Sequence, residues 1–358
     1  MAASSAPAGS LAAIVDPLVA QSMSANSLPG VTLAIARGAN VLYARGYGYA
    51  DIATCRPAQA DTAYQIGSVT KQFTAAAILR LQAAGSLDID KPASAYLASN
   101  PPLDPRITVR MLLNHVSGLQ DYTDFADYDS WAAIGVAEGT VLDQVAATPL
   151  LFAPGSAYSY SNSNYFALGA ILEAVTSTTY AGYLDTNVFQ PLGLTQTSYL
   201  QPPQAAVAYT YEDASDPAAG LFVGTVPDPS ASFAAGALWS SALDLTAWDA
   251  ALVEGRVIPA AEFEEMVTPP ASVPTFPTTS PPTDSMYAMG WYRVSVQGHP
   301  AVNHLGGTPG FSSSNTIVLE SGVSLSLLTN AGAAGPALST LTKEILDGVC
   351  AAGAAGTC

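Results

Sequence analysis

A serine and a lysine three residues apart, Ser68 and Lys71, lie at the beginning of the strongest helical pattern in the chain. Residues three apart on a helix lie on the same face, one turn away, so the lysine amine can reach the serine hydroxyl. A serine hydroxyl is a poor nucleophile until a neighbouring group takes its proton. The helix N-terminus adds backbone N–H groups near the place where an oxyanion would form. The pair is therefore a candidate centre for nucleophilic catalysis.

The surroundings of Lys71 bear on this interpretation, because Ser-x-x-Lys is also common on helix surfaces as a cap followed by a solvated charge. Lys71 is the lone charged residue between Val69 and Leu79, in a stretch of Val, Gln, Phe, Thr, Ala, Ile and Leu. Such a stretch predicts a partly buried lysine. Burial lowers the pKa of an amine, as a general base requires.

A second candidate group is Tyr160 with Asn162, in a loop that leads into a predicted helix from Tyr165 to Val175. A phenol beside an ammonium can be held as a phenolate or readily become one. An asparagine two residues later can orient both the lysine and a substrate carbonyl. Taken alone, the segment is more typical of a Tyr-rich turn whose hydroxyls cap the next helix.

A third candidate group is the segment from Asn303 to Phe311, which contains His304, Gly306 and Gly307. Glycines allow the backbone to approach a substrate closely. Taken alone, the segment is typical of an ordinary Gly-rich strand end.

In this order and spacing, the motifs that begin at Ser68, Tyr160 and His304 resemble the S-x-x-K, Y-x-N and K/H-x-G motifs of the serine β-lactamase and penicillin-binding superfamily. The resemblance covers nearly the whole chain. It is greatest to the class C-like branch, which contains D-Ala-D-Ala carboxypeptidases, D-amino-acid peptidases and family VIII-type esterases. Three further segments support it: Tyr64–Thr74, Ile107–Arg110 and Leu113–Leu119.

The resemblance implies a role for five side chains. Ser68 is expected to be acylated, with Lys71 and Tyr160 as the general-base pair. Asn162 is expected to position other groups, and His304 takes the place of the third-motif Lys or His.

The resemblance also implies backbone and substrate-binding roles. The N–H groups of Ser68 and Gly307 are expected to form the oxyanion hole. Gln120, Gly306 and Arg293 are candidates for substrate binding. A further histidine in the second supporting segment, at position 115, is expected to be structural.

The third motif departs from that of relatives that hold a substrate carboxylate, which usually carry hydroxyl residues where this chain has Leu305 and Gly307. Carboxylate recognition is therefore in doubt, with Arg293 as the first candidate anchor. The ordinary pKa of an imidazole is about 6.5, and His304 is expected to be charged only at a pH below its pKa. We therefore expect any preference for anionic substrates to grow as the pH falls.

Length and composition limit the classes to which the protein can belong. A chain of 358 residues with 49% apolar and 11% charged residues predicts two globular lobes, and its apolar stretches are too short to span a membrane. Lys and Arg number 11 against 28 Asp and Glu, so the surface repels nucleic acid and anionic membranes. We expect a small-molecule or peptide substrate. The sequence leaves the oligomeric state open.

Cysteine and histidine usage indicates neither a metal site nor a cofactor, because the three histidines are scattered and the three cysteines form no C-x-x-C motif. Cys350 and Cys358 can close a terminal loop in an oxidising compartment, or remain idle thiols. The first residues have neither a basic n-region nor a long apolar h-region. We expect an exported protein, periplasmic or extracellular, from which the signal peptide has been removed.

The element pattern predicts an α+β fold. Strands near both chain ends are expected to share one antiparallel sheet flanked by N- and C-terminal helices, in a lobe of residues 1–87 and 256–358. Residues 88–255 are expected to form a helical lobe, with the active site in the cleft between the two. The first predicted element is a helix over Ser10–Met23, which Pro17 is expected to bend or interrupt. The others are a hairpin of Val31–Ala36 with Val41–Ala44, a helix over Ser68–Ala84 ended by Gly85, a loop over Thr268–Thr283, strands at Met289–Val296, Thr316–Leu319 and Val323–Leu328, and a helix from Pro336 to Cys350.

These patterns together predict a serine hydrolase that acts on an amide or ester through a covalent acyl-enzyme, in the manner of a β-lactamase or D-Ala-D-Ala carboxypeptidase. Two alternatives remain open. A family VIII-type carboxylesterase would share the site and differ in the pocket. An inactive penicillin-recognising sensor or binding module would keep the fold but fail to release the acyl group.

Overall fold

The structure is a computed structural model that describes residues 9–97, 101–213, 216, 220–270 and 287–353. Its strands, in chain order, are β1 (Gly30–Arg37), β2 (Asn40–Asp51), β3 (Arg56–Pro57), β4 (Tyr64–Gln65), β5 (Tyr209–Tyr211), β6 (Leu221–Val223), β7 (Trp239–Ser240), β8 (Tyr287–Ala288), β9 (Trp291–Val296), β10 (His299–Thr308), β11 (Phe311–Val318) and β12 (Val323–Thr329).

Its helices are α1 (Gly9–Ala25), α2 (Thr70–Ala83), α3 (Val109–Leu113), α4 (Tyr128–Ile134), α5 (Glu138–Ala147), α6 (Asn162–Thr176), α7 (Tyr180–Leu184), α8 (Gln190–Leu192), α9 (Pro229–Gly236), α10 (Ala242–Val253), α11 (Ala260–Val267) and α12 (Gly335–Ala351). Among the described residues between β4 and β8, helices are the predominant regular structure, with only the short strands β5, β6 and β7 beside them. In the described part of the chain, none of these helices is long and apolar enough to cross a membrane.

Both ends of the chain contribute to one eight-stranded antiparallel sheet, in the order β3-β2-β1-β12-β11-β10-β9-β8. The first and last of the long strands pair directly, with Val31 opposite Thr329. The predicted α+β class, hairpin and closing helix are confirmed. Every residue of β11 and β12 is buried, because layers of helix cover both faces of the sheet.

One face of the sheet is covered by the two terminal helices, α1 and α12. Val15 and Val19 of α1 and Leu338 of α12 are fully buried in the core between them and the sheet. The sequence predicts a bend or an interruption at Pro17, and α1 is not interrupted there. Proline removes one backbone hydrogen bond, and the buried side chains on either side hold the helix against the sheet.

The other face of the sheet is covered by α10, which packs on β1 and β12, and by a 3-10 turn at Gly67–Val69 that packs on β10 and β11. Helix α2 continues from this turn and contacts α6, α9 and α11. All but three of its 14 residues are buried. The beginning of α2 is thus fixed where the sheet meets the helical region, and the boundaries of the two lobes stay a prediction.

Two predictions fall partly outside the described residues. The Pro- and Thr-rich loop predicted from residue 268 to 283 is described only up to residue 270. Cys350 is disulfide-bonded and Cys55 is an exposed free thiol. Cys358, for which the sequence leaves open a terminal loop with Cys350 or an idle thiol, lies outside the described residues.

Candidate active site

Ser68 occupies the middle of the 3-10 turn before α2, where the backbone comes close to the end of β10. Gly67 has a φ of +51°, and a Cβ there would lie 2.7 Å from the backbone N of Gly307. Only glycine allows this conformation and this approach without strain. The backbones that carry the Ser68 and Gly307 N–H groups therefore lie side by side, and their role as an oxyanion hole stays a prediction.

Gly306 makes the same approach possible from the strand side. A Cβ on Gly306 would lie 1.9 Å from the carbonyl oxygen of Ile66, whereas a Cβ on Gly307 would meet nothing within 4 Å. The hydroxyl of Ser313 on β11 donates to the same Ile66 carbonyl at 2.7 Å. Gly306 thus serves the packing of β10 on the nucleophile turn, and Gly307 leaves open space at the site.

Lys71 is completely buried, as its apolar neighbourhood predicts. Its Nζ donates to Ser68 Oγ at 3.0 Å, to Asn162 Oδ1 at 2.8 Å and to the carbonyl of Ala235 at 2.8 Å. Burial lowers the pKa of Lys71 to about 7, against the opposing charge of Asp121. A large fraction of Lys71 is therefore neutral amine near pH 7, and the amine lone pair can accept the Ser68 proton.

Tyr160 lies beside this pair as a neutral phenol. Its ring centroid is 4.9 Å from Lys71 Nζ. Burial holds the pKa of Tyr160 well above its ordinary value, and the proximity of Ser68 only partly offsets this. Burial therefore disfavours the predicted phenolate, because a buried phenolate loses more hydration than the nearby amine returns. The general-base roles of Lys71 and Tyr160 stay predictions.

Asn162 is the first residue of α6, and its amide joins Lys71 to a carboxylate that the sequence patterns did not identify. The amide Nδ2 of Asn162 donates to Asp121 Oδ2 at 2.9 Å, and the backbone N–H of Asn162 donates to the same oxygen at 3.0 Å. Asp121 is 41 residues away in sequence and in no motif spacing with Asn162. Only the fold brings the two together.

His304 is buried and neutral. Burial, and to a smaller extent the charge of Lys71, lowers the pKa of His304 to about 3. Its Nδ1 lies 2.6 Å from the carbonyl oxygen of Leu305, which can only accept, so Nδ1 carries the proton. Nε2 then accepts from the hydroxyl of Tyr287 at 3.3 Å. The expected change of charge on His304 near pH 6.5 is therefore wrong.

His115 also lies at the site, where two donors engage its Nδ1 and its buried Nε2 has no hydrogen-bond partner among the described residues. Its ring is 4.3 Å from the ring of Tyr160, and its Nδ1 accepts from the backbone N–H of Ser161 at 3.2 Å and from Asn164 Nδ2 at 2.9 Å. Burial lowers the pKa of His115 well below its ordinary value. This packing fits the structural role expected of it.

Aromatic rings surround Tyr160 and His304. The sequence patterns missed two of them, Tyr287 and Tyr292, whose centroids lie 5.8 and 5.4 Å from that of His304. Tyr287 lies in β8, whose two residues give no periodicity to detect. Tyr292 lies in the predicted strand β9, but the strand pattern does not show that its ring reaches His304. The ring contacts exclude water from His304, which is the physical cause of its lowered pKa.

Two substrate-binding candidates are engaged elsewhere. Arg293 Nη1 donates to the carbonyl of Val267 at the end of α11, at 3.4 Å. Gln120 Nε2 donates to the carbonyl of Pro149 at 2.8 Å. Their roles in substrate binding stay predictions, and neither contact points to a carboxylate site. Among the described residues no cluster of His, Cys, Asp and Glu is suited to a metal.

Fold and site together place a serine hydroxyl beside a buried lysine and a tyrosine, within an α+β fold. The chain belongs to the Beta-lactamase family, whose model matches residues 15–348. The predicted superfamily is thereby confirmed.

Similar proteins within this family differ in activity. The chain is 33% identical over 220 residues to Esterase EstB of Burkholderia gladioli, covering 58% of this chain and 56% of that protein. It is 29% identical over 299 residues to Penicillin-binding protein 4* of Bacillus subtilis, covering 78% and 63% respectively. The chain thus spans less than two thirds of the length of either relative.

A similar solved structure is the D-amino acid amidase of Ochrobactrum anthropi SV3. It has a TM-score of 0.81 and 25% identity, and the match covers 96% of this chain and 98% of that one. The relatives of this protein thus include esterases, penicillin-binding proteins and amidases, and the fold is shared along nearly the whole chain.

Proposed function

We propose that this protein is a serine hydrolase that cleaves esters or amides through an acyl-enzyme on Ser68. One observation carries the proposal: the completely buried Nζ of Lys71 lies 3.0 Å from Ser68 Oγ, in surroundings that lower its pKa to about 7. A solvated lysine would be protonated at about pH 7 and unable to act as a base.

The proposed reaction begins when the neutral amine of Lys71 takes the Ser68 proton and Oγ forms a bond to the substrate carbonyl carbon. The carbonyl π electrons move to oxygen, and the N–H groups of Ser68 and Gly307 stabilise that oxyanion. As the oxyanion collapses, the bond to the leaving group breaks. The phenol of Tyr160 donates its proton to the leaving group, and the ammonium of Lys71 then returns a proton to Tyr160. Water then attacks the acyl-enzyme by the reverse route and releases the acid.

The surroundings of the third motif favour substrates without a carboxylate. His304 is neutral, and Leu305 and Gly307 present no hydroxyl there. Arg293 is engaged with Val267. A substrate anion would therefore lose hydration without gaining a partner. We propose that uncharged esters are better substrates than carboxylate-bearing β-lactams or peptides, which agrees with the similarity to an esterase.

A substrate panel tests this proposal. Short-chain p-nitrophenyl esters, a D-amino acid amide, a chromogenic cephalosporin and a D-Ala-D-Ala peptide are compared by kcat/KM at pH 8, with Ser68→Ala as control. We expect turnover of the neutral esters, and none in the variant. Acylation without turnover of any of the four would support the sensor alternative, and a clear preference for the cephalosporin would refute the proposed substrate class.

A further inference from the structure

Asp121 is held by four hydrogen bonds, two on each carboxylate oxygen. Its Oδ1 accepts from the backbone N–H of Thr123 at 3.0 Å and from the Thr123 hydroxyl at 2.9 Å. Its Oδ2 accepts hydrogen bonds from the backbone N–H and from the side-chain Nδ2 of Asn162, at 3.0 and 2.9 Å. The first pair of bonds fixes the carboxylate in its own turn, and the second pair fixes the beginning of α6 and the Asn162 side chain.

These bonds determine which end of the Asn162 amide faces Lys71. With Nδ2 bound to the carboxylate, Oδ1 points to Lys71 Nζ at 2.8 Å. A flipped amide would place its NH₂ against the ammonium form of Lys71 and its oxygen against the carboxylate, two contacts without a hydrogen bond. We propose, on the basis of the proposed function, that Asp121 is a positioning residue: it orients the Asn162 amide and thereby holds Lys71 against Ser68.

The charge of Asp121 also acts on Lys71 through the same contact. In the described part of the chain, the other titratable side chains around Lys71 are neutral near pH 7, since burial raises the pKa of the tyrosines and lowers the pKa of the histidines: Tyr160, Tyr165, His115 and His304. Asp121 is the negative charge that opposes the effect of burial on the pKa of Lys71. Removal of this charge therefore favours the neutral amine at lower pH.

A purely structural role is the competing explanation, because Asp121 also caps its turn. The two roles differ in the pH dependence of Ser68 reactivity. We would measure the rate at which an uncharged fluorophosphonate labels Ser68, by intact mass, from pH 5 to 9 in wild type, Asp121→Asn, Asp121→Ala and Asp51→Asn. Asp51 is the matched control, since it accepts from Ala53 N–H and the Thr54 hydroxyl in an exposed turn.

In wild type we expect the rate to rise with a midpoint near pH 7, the pKa of Lys71. In Asp121→Asn the midpoint should fall by roughly 0.5 to 1 pH unit, because one nearby negative charge is removed. Asp121→Ala, which also frees the Asn162 amide, should in addition lose roughly 10-fold in plateau rate. Asp51→Asn, with the same change in net charge, should keep the wild-type midpoint.

An unchanged midpoint in Asp121→Asn would overturn the proposal, even if its melting temperature fell. Because Asp121→Asn keeps one acceptor for Asn162, it remains informative if the alanine variant does not fold. If no label attached to the wild-type protein, Ser68 would be refuted as the nucleophile, and the positioning role would be tested by a crystal structure of Asp121→Ala, the variant that frees the Asn162 amide. There, an amide that has rotated away from Lys71 would support the role, and one still within about 3 Å of Nζ would refute it.

Discussion

His304 should stay uncharged between pH 5 and 8, so its protonation should not control substrate choice. Because pH 5 is two units above a pKa of about 3, about 1% of His304 is charged at that pH. An imidazole with the ordinary pKa near 6.5 would be almost fully charged at the same pH, by about 97%. The assay is the ratio of kcat/KM for a substrate with a strongly acidic carboxyl group to that for its neutral methyl ester.

Protonation of Lys71 at low pH lowers the rate for both substrates equally, because both need the same base, so this loss cancels in the ratio. Between pH 5 and 8 we expect the ratio to change by less than about twofold in wild type, and His304→Gln to show the same pH dependence, since glutamine also carries no charge. A ratio that rises by about tenfold on acidification in wild type but not in His304→Gln would refute the reasoning. Such a result would mean that the histidine is hydrated once substrate binds.

Two further predictions concern stability. Gly306→Ala should destabilise the fold by about 1–3 kcal/mol, because the new Cβ meets the Ile66 carbonyl. Gly307→Ala should cost less than about 1 kcal/mol, because a Cβ there has open space. Equal midpoints of the two variants in urea unfolding would contradict the packing described. Burial, and then the neighbouring Glu173, raises the pKa of Glu138 to about 7 from 4.5. The folded state therefore holds this proton more tightly, and the resulting stability is present below pH 4.5 and lost as the pH rises through 7. After allowance for exposure, the free energy of unfolding of Glu138→Gln should rise by about 1 kcal/mol relative to that of wild type when the pH is raised from 4 to 8. Melting temperatures of both proteins at the two pH values check this, and a relative fall for Glu138→Gln would contradict an interaction between the two carboxyls.

The sequence predicts those features of the fold that depend on local pattern. Helix α2 repeats apolar residues over 14 positions and ends before Gly85, which has a φ of +71°. The β1–β2 hairpin is marked by the turn Gly38-Ala39-Asn40. At Pro17 the prediction allowed an interruption that α1 does not have, because it weighed one lost hydrogen bond and left out the burial of α1 against the sheet.

The composition of the site is predictable only in part. The Ser68–Lys71 pair follows from helical geometry, and the burial of Lys71 follows from its neighbours. The ionisation states do not, because the pKa values of Tyr160 and His304 depend on how completely remote segments exclude water. Asp121 was missed for the same reason, since its bonds to Asn162 exist only once α6 has packed beside its loop.

The most direct test of the account is the mass of the protein during turnover of a neutral ester. Quenching with acid in the steady state should show wild type heavier by one acyl group, and peptide mapping should place that group on Ser68. Lys71→Ala should show no adduct on the same timescale, because no base takes the Ser68 proton. An acyl group on another residue, or undiminished acylation of Ser68 in Lys71→Ala, would contradict the claim that Lys71 activates Ser68.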